Sequence, residues 1–417
     1  MPILKVNHLI KRYKKTGKEE SGDSIDRIGV AGQGGIWSRS LVLLAAAIFL
    51  LSFGNGLQQG ILTNFLKELG LSGSHVMLQQ GIREIPGLFL MFIAALVMHL
   101  PLTWRAVGST LIMGMGFALY VTVHSWTALA VLSFTAYLGF HLWMPLSNAL
   151  GLSLVSKENS GKVLGTLRSV QALAMMAGVG SILLLSRWFS LRAFFGVAGS
   201  LIIAAAIVLS RLPKNIGETS KTQPRLLFRR RYWLYYVLLL FEGSRMQVFF
   251  AFNIMVLVYN YGLSALQISF LLLASGFVNF LLVPRLGRLL DIVGERITLT
   301  VCYVALALSF VGYATVDNVW FLGAMVICIQ LLVRLDIGLH TYINRIAPPE
   351  ELTPTLSTGV SVNHITSVGM SFLAGGLLPI VGYQALCWGA VTIVLLSIPF
   401  TLAIRTNIPQ LSLVVEE

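Results

Sequence analysis

One stretch near the middle of the chain, Arg211 to Gly262, decides the fold: RLPKNIGETSKTQPRLLFRRRYWLYYVLLLFEGSRMQVFFAFNIMVLVYNYG. Its first part, 211–231, is basic and contains Pro and Gly, which favour an irregular linker. Its second part, 232–262, is long and apolar enough to cross a bilayer as a helix, although it carries Glu242 and Arg245. The stretch therefore indicates two membrane-embedded parts of the chain that meet at this linker.

The composition of the whole chain also points to a membrane. Of the 417 residues, 56% are hydrophobic and only 11% are charged. Soluble domains carry roughly 25% charged residues, so this chain has too few charges to cover a surface that faces water. Apolar runs of about 18 or more residues recur, and each can cross the bilayer core as a helix. We therefore predict an all-α polytopic membrane protein with about twelve transmembrane helices. The predicted spans are 40–66, 75–100, 105–123, 126–155, 162–185, 191–211, 232–261, 265–285, 297–316, 318–346, 354–380 and 383–404.

The net charge of +13 does not indicate a nucleic-acid partner, because the basic residues cluster in the N-terminal tail and in loops between apolar runs. This distribution follows the positive-inside rule. It predicts an integral protein of the plasma membrane (the bacterial inner membrane) with both termini cytoplasmic. The three cysteines lack metal-ligand spacing and no catalytic motif occurs, so we expect no metal, no cofactor and no enzyme activity. The expected partners are the lipid bilayer, a small-molecule substrate and a coupling ion.

The two parts of the chain on either side of the linker resemble each other. Gly-Leu-Ser at 70–72 follows the first predicted helix, and the same tripeptide at 262–264 follows the seventh. Such a repeat predicts two halves of six helices with the same orientation. The predicted divisions are a basic cytoplasmic N-terminal tail (1–38), an N-terminal six-helix half (39–211), a cytoplasmic linker (212–231), a C-terminal six-helix half (232–405) and a cytoplasmic C-terminal tail (406–417).

The loop after the eighth predicted helix carries a recognisable pattern, GRLLDIVGER at residues 287–296. It resembles the loop motif of the major facilitator superfamily (MFS), although Ile292 and Glu295 stand where the family usually carries basic residues. The resemblance implies two six-helix halves that rock around a central substrate site lined by helices one, four, seven and ten. It also implies a gating role for the matching residues Gly287, Asp291, Gly294 and Arg296.

Ionisable side chains deep in the predicted helices are the first candidates for chemistry. An ionisable residue in a spanning helix costs about 3 kcal/mol or more against lipid, so it indicates a protein-lined cavity. Glu242 lies about 15 Å into the seventh helix at 1.5 Å per residue, and Arg245 follows on the same face. We interpret Glu242, Asp336 and His340 as proton-coupling residues. A structural ion pair between Glu242 and Arg245 is the alternative.

Polar residues at mid-depth are the second group of candidates. Asn55, Gln58 and Gln59 form a polar stripe on one face of the first helix. They suit hydrogen bonding to a substrate, but polar contacts between helices explain them equally well. The substrate-binding candidates are Asn55, Gln58, Gln59, His141, Arg245, Arg334, Asn363 and His364.

Together these features predict a secondary active transporter. We expect it to move a small solute by alternating access with proton coupling, and the deep arginines slightly favour an organic anion or a zwitterion. Two alternatives stay open. One is proton-coupled efflux of amphiphilic compounds, and the other is a transport-inactive receptor or scaffold on the same fold.

Overall fold

The protein is described by a computed structural model that covers residues 38–155, 159–214, 216, 228–334 and 337–405. Within these residues the regular structure is helical. The predicted basic tail, most of the linker and Asp336 lie outside them. The α-helices are α1 (Arg39–Glu68), α2 (Gly73–Leu88), α3 (Leu90–Leu96), α4 (Leu102–Ala118), α5 (Trp126–Ser153), α6 (Ser160–Leu185), α7 (Leu191–Leu209), α8 (Trp233–Tyr259), α9 (Ala265–Val293), α10 (Glu295–Thr315), α11 (Val319–Val333), α12 (Ile337–Ile346) and α13 (Pro349–Leu402). Short 3₁₀ turns extend α4 (Leu119–Thr122) and precede α8 (Arg230–Tyr232).

Nine helical segments in the described ranges are long and apolar enough to cross a membrane. Two more segments of the predicted crossings do not form a single helix as long as these nine. The first is interrupted at Phe89 between α2 and α3, and the second, α4, has 17 residues. The ninth segment in turn contains two helices, because Gly382 has a left-handed backbone (φ +77°) within α13. The predicted all-α polytopic fold is therefore confirmed.

The second crossing contains a proline shortly before its interruption. Pro86 lies inside α2 and has no N–H group to bond one turn back along the helix. The helix ends two residues later, and Phe89 adopts a non-helical backbone before α3 begins. The predicted span 75–100 is thus two helices, and its polar first part, α2, is the part that faces other helices.

The repeated Gly-Leu-Ser tripeptide has the same structure in both copies. Gly70 and Gly262 have positive φ angles of 75° and 72°, which glycine adopts without strain, and they end α1 and α8. Ser72 and Ser264 then start α2 and α9, where each forms a capping box with the residue three positions later. The sequence repeat therefore marks equivalent helix–turn–helix corners in the two parts of the chain.

Helix packing groups the elements on either side of a central seam. In the first group α1 packs against α6 and α7, and α4 packs against α5 and α7. In the second group α13 packs against α8 and α10, and α11 packs against α9 and α10. Across the seam, α2 packs against α13 and α6 packs against α9. A cavity lies along this seam.

Hydrogen bonds close the seam at the end that carries the two Gly-Leu-Ser corners. The Asn64 side-chain amide donates to the Leu263 carbonyl at 2.8 Å, and Lys67 Nζ donates to the Val258 carbonyl at 2.6 Å. The Tyr259 hydroxyl donates to the Leu71 carbonyl at 2.7 Å. Ser74 also donates to the Gly375 carbonyl, which ties the start of α2 to α13. This end of the molecule is sealed by both packing and hydrogen bonding.

Candidate functional site

A cavity of about 510 Å³ lies along the seam between the two groups of helices. Its wall combines apolar and polar side chains, and two kinds of side chain dominate the polar part. The carboxamides are Asn55, Gln58, Gln59, Gln79, Gln80, Gln171, Gln330 and Asn363. The ionisable groups are Arg83, Glu84, His141, Glu242, Arg334, His340 and His364, and Tyr137 and Tyr235 add hydroxyl groups.

The cavity is accessible from one end. Val76 and Gln79, which line it near the Gly-Leu-Ser corners, are 3% and 1% exposed. At the opposite end, Gln171, His340 and Val360 line the same cavity and are exposed. Those residues lie in the parts of α6, α12 and α13 that are nearer the central linker side. In this structure, solvent therefore reaches the cavity from the linker side, and the corner side is closed.

Glu84 is the centre of a buried group of titratable side chains in this cavity. Its Oε2 atom lies 3.0 Å from His364 Nδ1 and 4.0 Å from His141 Nε2. The two imidazole rings lie edge to face, with centroids 5.0 Å apart. Gln80, one turn earlier on α2, donates from Nε2 to the other carboxylate oxygen at 3.1 Å. We call Glu84, His141 and His364 the Glu–His group.

The elements that hold this group come from both sides of the seam. Glu84 lies on α2 and His141 on α5, whereas His364 lies on α13. His364 reaches Glu84 because Gly87, three residues after Glu84, has no side chain. A Cβ atom at Gly87 would lie 2.6 Å from His364 Cε1, too close for the ring to stay where it is. Gly87 thus shapes the site directly.

Arg83 supplies positive charge next to the Glu–His group. Its guanidinium lies over the Tyr137 ring, 4.0 Å from the centroid. The Tyr137 hydroxyl in turn approaches Gln58 Oε1 at 3.4 Å, and the Arg83 carbonyl faces His141 Nε2 at 3.2 Å. A polar network therefore runs from α1 through α5 to α2 along the cavity wall.

Most of the substrate-binding residues predicted from the sequence do line the cavity. They are Asn55, Gln58, Gln59, His141, Arg334, Asn363 and His364. Their binding role stays a prediction. Arg245 is placed differently: it is buried outside the cavity lining, and its guanidinium lies over the Tyr303 ring at 3.6 Å from the centroid.

Of the predicted proton-coupling residues, Glu242 and His340 line the cavity. Asp336 lies outside the described residues. The carboxylate that lies next to two histidines in the structure is Glu84, which is not among the residues predicted from the sequence. The available signal was a carboxylate deep in an apolar helix. Its partners come from helices distant in sequence, so spacing along α2 did not reveal them.

The predicted gating residues lie at the junction of α9 and α10. Gly294 ends α9 and starts α10 with a left-handed backbone (φ +86°), while Asp291 and Arg296 are exposed. Gly287 lies in the last part of α9. An ion pair at this junction involves Glu295, one of the two residues that depart from the family pattern. Its buried carboxylate oxygen Oε1 lies 2.8 Å from Nε of the exposed Arg345 of α12.

A further charged cluster fixes the start of α8 against the start of α13. Glu351 accepts from Arg231 and from the Tyr232 hydroxyl, the latter at 2.7 Å, and Arg229 Nε lies 3.9 Å away. The hydrogen bonds from Arg231 and Tyr232 lower the pKa of Glu351 below its ordinary value. This cluster anchors the end of the linker to the second group of helices.

The described residues contain no group of three or more His, Cys, Asp or Glu side chains arranged to hold a metal ion. The polar side chains of the cavity wall offer hydrogen bonds, charges and titratable groups. They can bind a polar solute and exchange protons with cavity water.

Comparison with solved structures identifies the fold. The nucleoside transporter NupG superposes with a TM-score of 0.73 at 13% identity, covering 89% of this chain and 100% of that one. The peptide transporter POT gives 0.70 at 13% identity, covering 90% and 96%. A bacterial homologue of the iron transporter ferroportin, in an inward-facing state, gives 0.68 at 16% identity, covering 88% and 99%. At such identities the likeness shows the fold alone.

Sequence comparison gives the family. No curated protein matches the chain significantly in sequence. The sequence profile of the Major Facilitator Superfamily, however, matches residues 44–339, which is more than half of the chain. The resemblance seen in the loop at 287–296 is thereby confirmed over a much longer stretch, and the chain belongs to the Major Facilitator Superfamily of membrane transporters.

Proposed function

We propose that the protein is a secondary active transporter, without enzyme activity, that moves a small polar solute by alternating access and couples the movement to protons. The observation that carries the proposal is the polar cavity of about 510 Å³ on the seam between the two groups of helices. Its volume suits a small molecule. Its closed corner side and accessible linker side are the asymmetry that a carrier needs in one of its two end states.

The charges of the cavity favour an organic anion or a zwitterion as the substrate. Arg83 and Arg334 can bind a carboxylate or a phosphate, and Glu242 can bind a positively charged group. Asn55, Gln58 and Gln59 offer hydrogen bonds to the uncharged part of the solute. The names of the structurally similar transporters give different solutes: a nucleoside, a peptide and iron. The shared fold therefore does not determine the substrate.

The balance of charge in the cavity supports proton coupling. Its lining in the described residues has two arginines and two glutamates, Glu84 and Glu242. A proton on either carboxylate, or on a histidine, adds one positive charge to a cavity whose arginines already attract anions. Binding of the proton and binding of an anionic solute therefore reinforce each other, which is the condition for coupling.

The orientation of the transporter is part of the proposal. The positive-inside rule predicts cytoplasmic termini and a cytoplasmic linker, in the bacterial inner membrane. With that orientation the described state is open to the cytoplasm and closed to the outside. The predicted gating residues Gly287, Asp291, Gly294 and Arg296 would then lie on the cytoplasmic side, where the two halves must close in the opposite state.

The test uses the purified protein in proteoliposomes that contain a pH-sensitive dye. Pooled small anions, zwitterions and lipophilic cations are added to the wild type and to Glu242→Gln, and the solute-dependent proton flux of the two proteins is compared. The flux should be weaker in Glu242→Gln, which lacks one of the two cavity carboxylates. We expect proton flux that depends on an anion or zwitterion. Flux driven by lipophilic cations alone would favour the efflux of amphiphilic compounds. Solute binding without movement would favour the transport-inactive receptor and contradict the proposal.

A further inference from the structure

The Glu–His group joins the two sides of the seam through buried titratable side chains. Glu84 and His141 belong to α2 and α5, and His364 belongs to α13. All three are buried and line the cavity, so cavity water can exchange protons with them. The contact between Glu84 and His364 exists only while α2 and α13 lie together. If the halves rock apart at the corner side, this contact is broken.

The contact between Glu84 and His364 needs a hydrogen between its two atoms. Glu84 Oε2 and His364 Nδ1 are 3.0 Å apart, and neither has a hydrogen-bond partner elsewhere in the described part of the chain. A carboxylate oxygen and a bare imidazole nitrogen are both acceptors, so His364 Nδ1 or Glu84 must carry the hydrogen. His141 Nε2 has a different hydrogen-bond partner. It lies 3.2 Å from the Arg83 carbonyl, which can only accept, so His141 Nε2 must carry the hydrogen and donate it.

This arrangement has room for one further proton. With Glu84 ionised, the neutral form of His364 that carries hydrogen on Nδ1 already satisfies the contact. A proton added to the other ring nitrogen turns the contact into an imidazolium–carboxylate pair. Because the pair is shielded from bulk water, its attraction is much stronger than that between a carboxylate and a neutral ring. Protonation of the Glu–His group therefore pulls α13 towards α2.

The charges around the group come from each helix that packs against it. Gln80 of α2 donates to Glu84 Oε1 at 3.1 Å. Arg83 of α2 is the neighbour of Glu84 in sequence, and its carbonyl faces His141 Nε2. The other titratable or charged groups that line the cavity are Tyr137 of α5, Tyr235 and Glu242 of α8, Arg334 after α11 and His340 of α12.

We propose that the Glu–His group binds the coupling proton, and that this proton holds α2 against α13 in the state open to the linker side. The proposal deepens the transport function proposed above and rests on it. The proton comes from water on the corner side while the halves are apart there, enters the imidazole of His364, and leaves to cavity water in the state described here. Glu242 and His340 then act on the solute or on later steps.

A distance measurement tests the proposal without any substrate. Spin labels are placed at Glu68→Cys and Asn260→Cys, two exposed positions at the corner end, in a Cys328→Ser background. In the wild type we expect the population with the short distance to grow as the pH falls, by up to about tenfold per pH unit, the limit for one linked proton. In Glu84→Gln the ratio of the two populations should stop changing with pH.

Two further variants make this measurement decisive. His99→Gln removes an exposed imidazole that lies outside the cavity lining, and it should keep the pH response of the wild type. His364→Gln removes the imidazole from α13 and should lose the response, which covers the case in which Glu84→Gln does not fold. An unchanged pH response in both Glu84→Gln and His364→Gln, or a wild-type distance that does not depend on pH, would overturn the proposal.

Measurements of transport and of metal binding distinguish the proton site from the proposed transport function and from a metal site. Equal solute-dependent proton flux in the wild type and in Glu84→Gln would overturn the proton site and leave the transport function intact. A pH-dependent distance that is lost in Glu84→Gln, in a protein that moves no tested solute, would support the proton site and contradict the transport function. Calorimetric binding of ZnCl₂ that is lost in His364→Gln would reassign the group to a metal and overturn the proposal.

Discussion

Glu84 Oε2 of α2 lies 3.0 Å from His364 Nδ1 of α13, and Gly87 provides the space for the histidine ring. The relationship links a backbone feature to an electrostatic one. Gly87 near the end of α2 leaves the surface of the helix open, and the imidazole from the other side of the seam fills that opening. A residue with no functional group thus controls whether two titratable groups meet.

Gly87→Ala should therefore separate Glu84 from His364. The new Cβ atom would lie 2.6 Å from His364 Cε1, and overpacking of this kind costs about 1–3 kcal/mol. We expect a lower melting temperature in detergent and a weaker pH response of the spin-label distance. The control is Gly369→Ala on α13, where a Cβ atom meets no other atom within 4 Å. A Gly87→Ala protein as stable as that control would contradict the close packing.

Helix positions were largely predictable from the sequence because each crossing leaves a local signal. Apolar length gave the spans, and the repeated Gly-Leu-Ser tripeptide gave the two equivalent corners, which the structure confirms as left-handed glycines followed by capping serines. The interruption at Phe89 was missed. Its local signal, Pro86 followed by Gly87, was present, but the surrounding run is apolar enough to look continuous.

The site was less predictable than the helices because its contacts join distant parts of the chain. His141, His364 and the polar stripe on α1 were predicted individually, and the structure lines one cavity with them. Their meeting point, Glu84, depends on how α2, α5 and α13 pack, which one sequence does not encode locally. Arg245 is a different case. Its position in α8 suggested that it lines the cavity, but its side chain packs against Tyr303 instead.

The contact between Arg245 and Tyr303 should be structural. The guanidinium lies 3.6 Å from the ring centroid and both residues are buried, so the interaction can contribute about 2 kcal/mol. We expect Tyr303→Leu to lower the stability by at least that amount in a denaturant titration. Tyr303→Phe keeps the ring, and the buried Tyr303 hydroxyl has no hydrogen-bond partner in the described part of the chain, so we expect this variant to be as stable as the wild type. An equal loss in both variants would show that the hydroxyl, rather than the ring, matters.

Glu351 should make the stability depend on pH at the linker end of the molecule. Hydrogen bonds from Arg231 and Tyr232 hold the pKa of Glu351 below 4.5, its ordinary value. A lowered folded-state pKa stabilises the protein above pH 4.5 and loses that contribution as the pH falls through the lowered value. The melting temperature of the wild type should therefore exceed that of Glu351→Gln at neutral pH, and the gap should narrow in acid.

Salt provides the control for the Glu351 prediction. The cluster is largely exposed, so ions in solution screen it, and the gap between the wild type and Glu351→Gln should shrink at 1 M salt, where the Debye length is about 3 Å. A gap that stays constant with both pH and salt would mean that Glu351 acts by packing rather than by charge.

Two valines on the cavity wall report which end of the cavity is open. Val76 of α2 is 3% exposed on the closed corner side, and Val360 of α13 is 44% exposed towards the linker side. In a Cys328→Ser background, Val360→Cys should react rapidly with a polar thiol reagent and Val76→Cys slowly. Both substitutions place a thiol on the cavity wall, so changes of the two rates in opposite directions report access. If access alternates, solute or pH conditions that open the corner side should raise the rate at Val76→Cys and lower it at Val360→Cys. Rates that never change in opposite directions would contradict alternating access through this cavity.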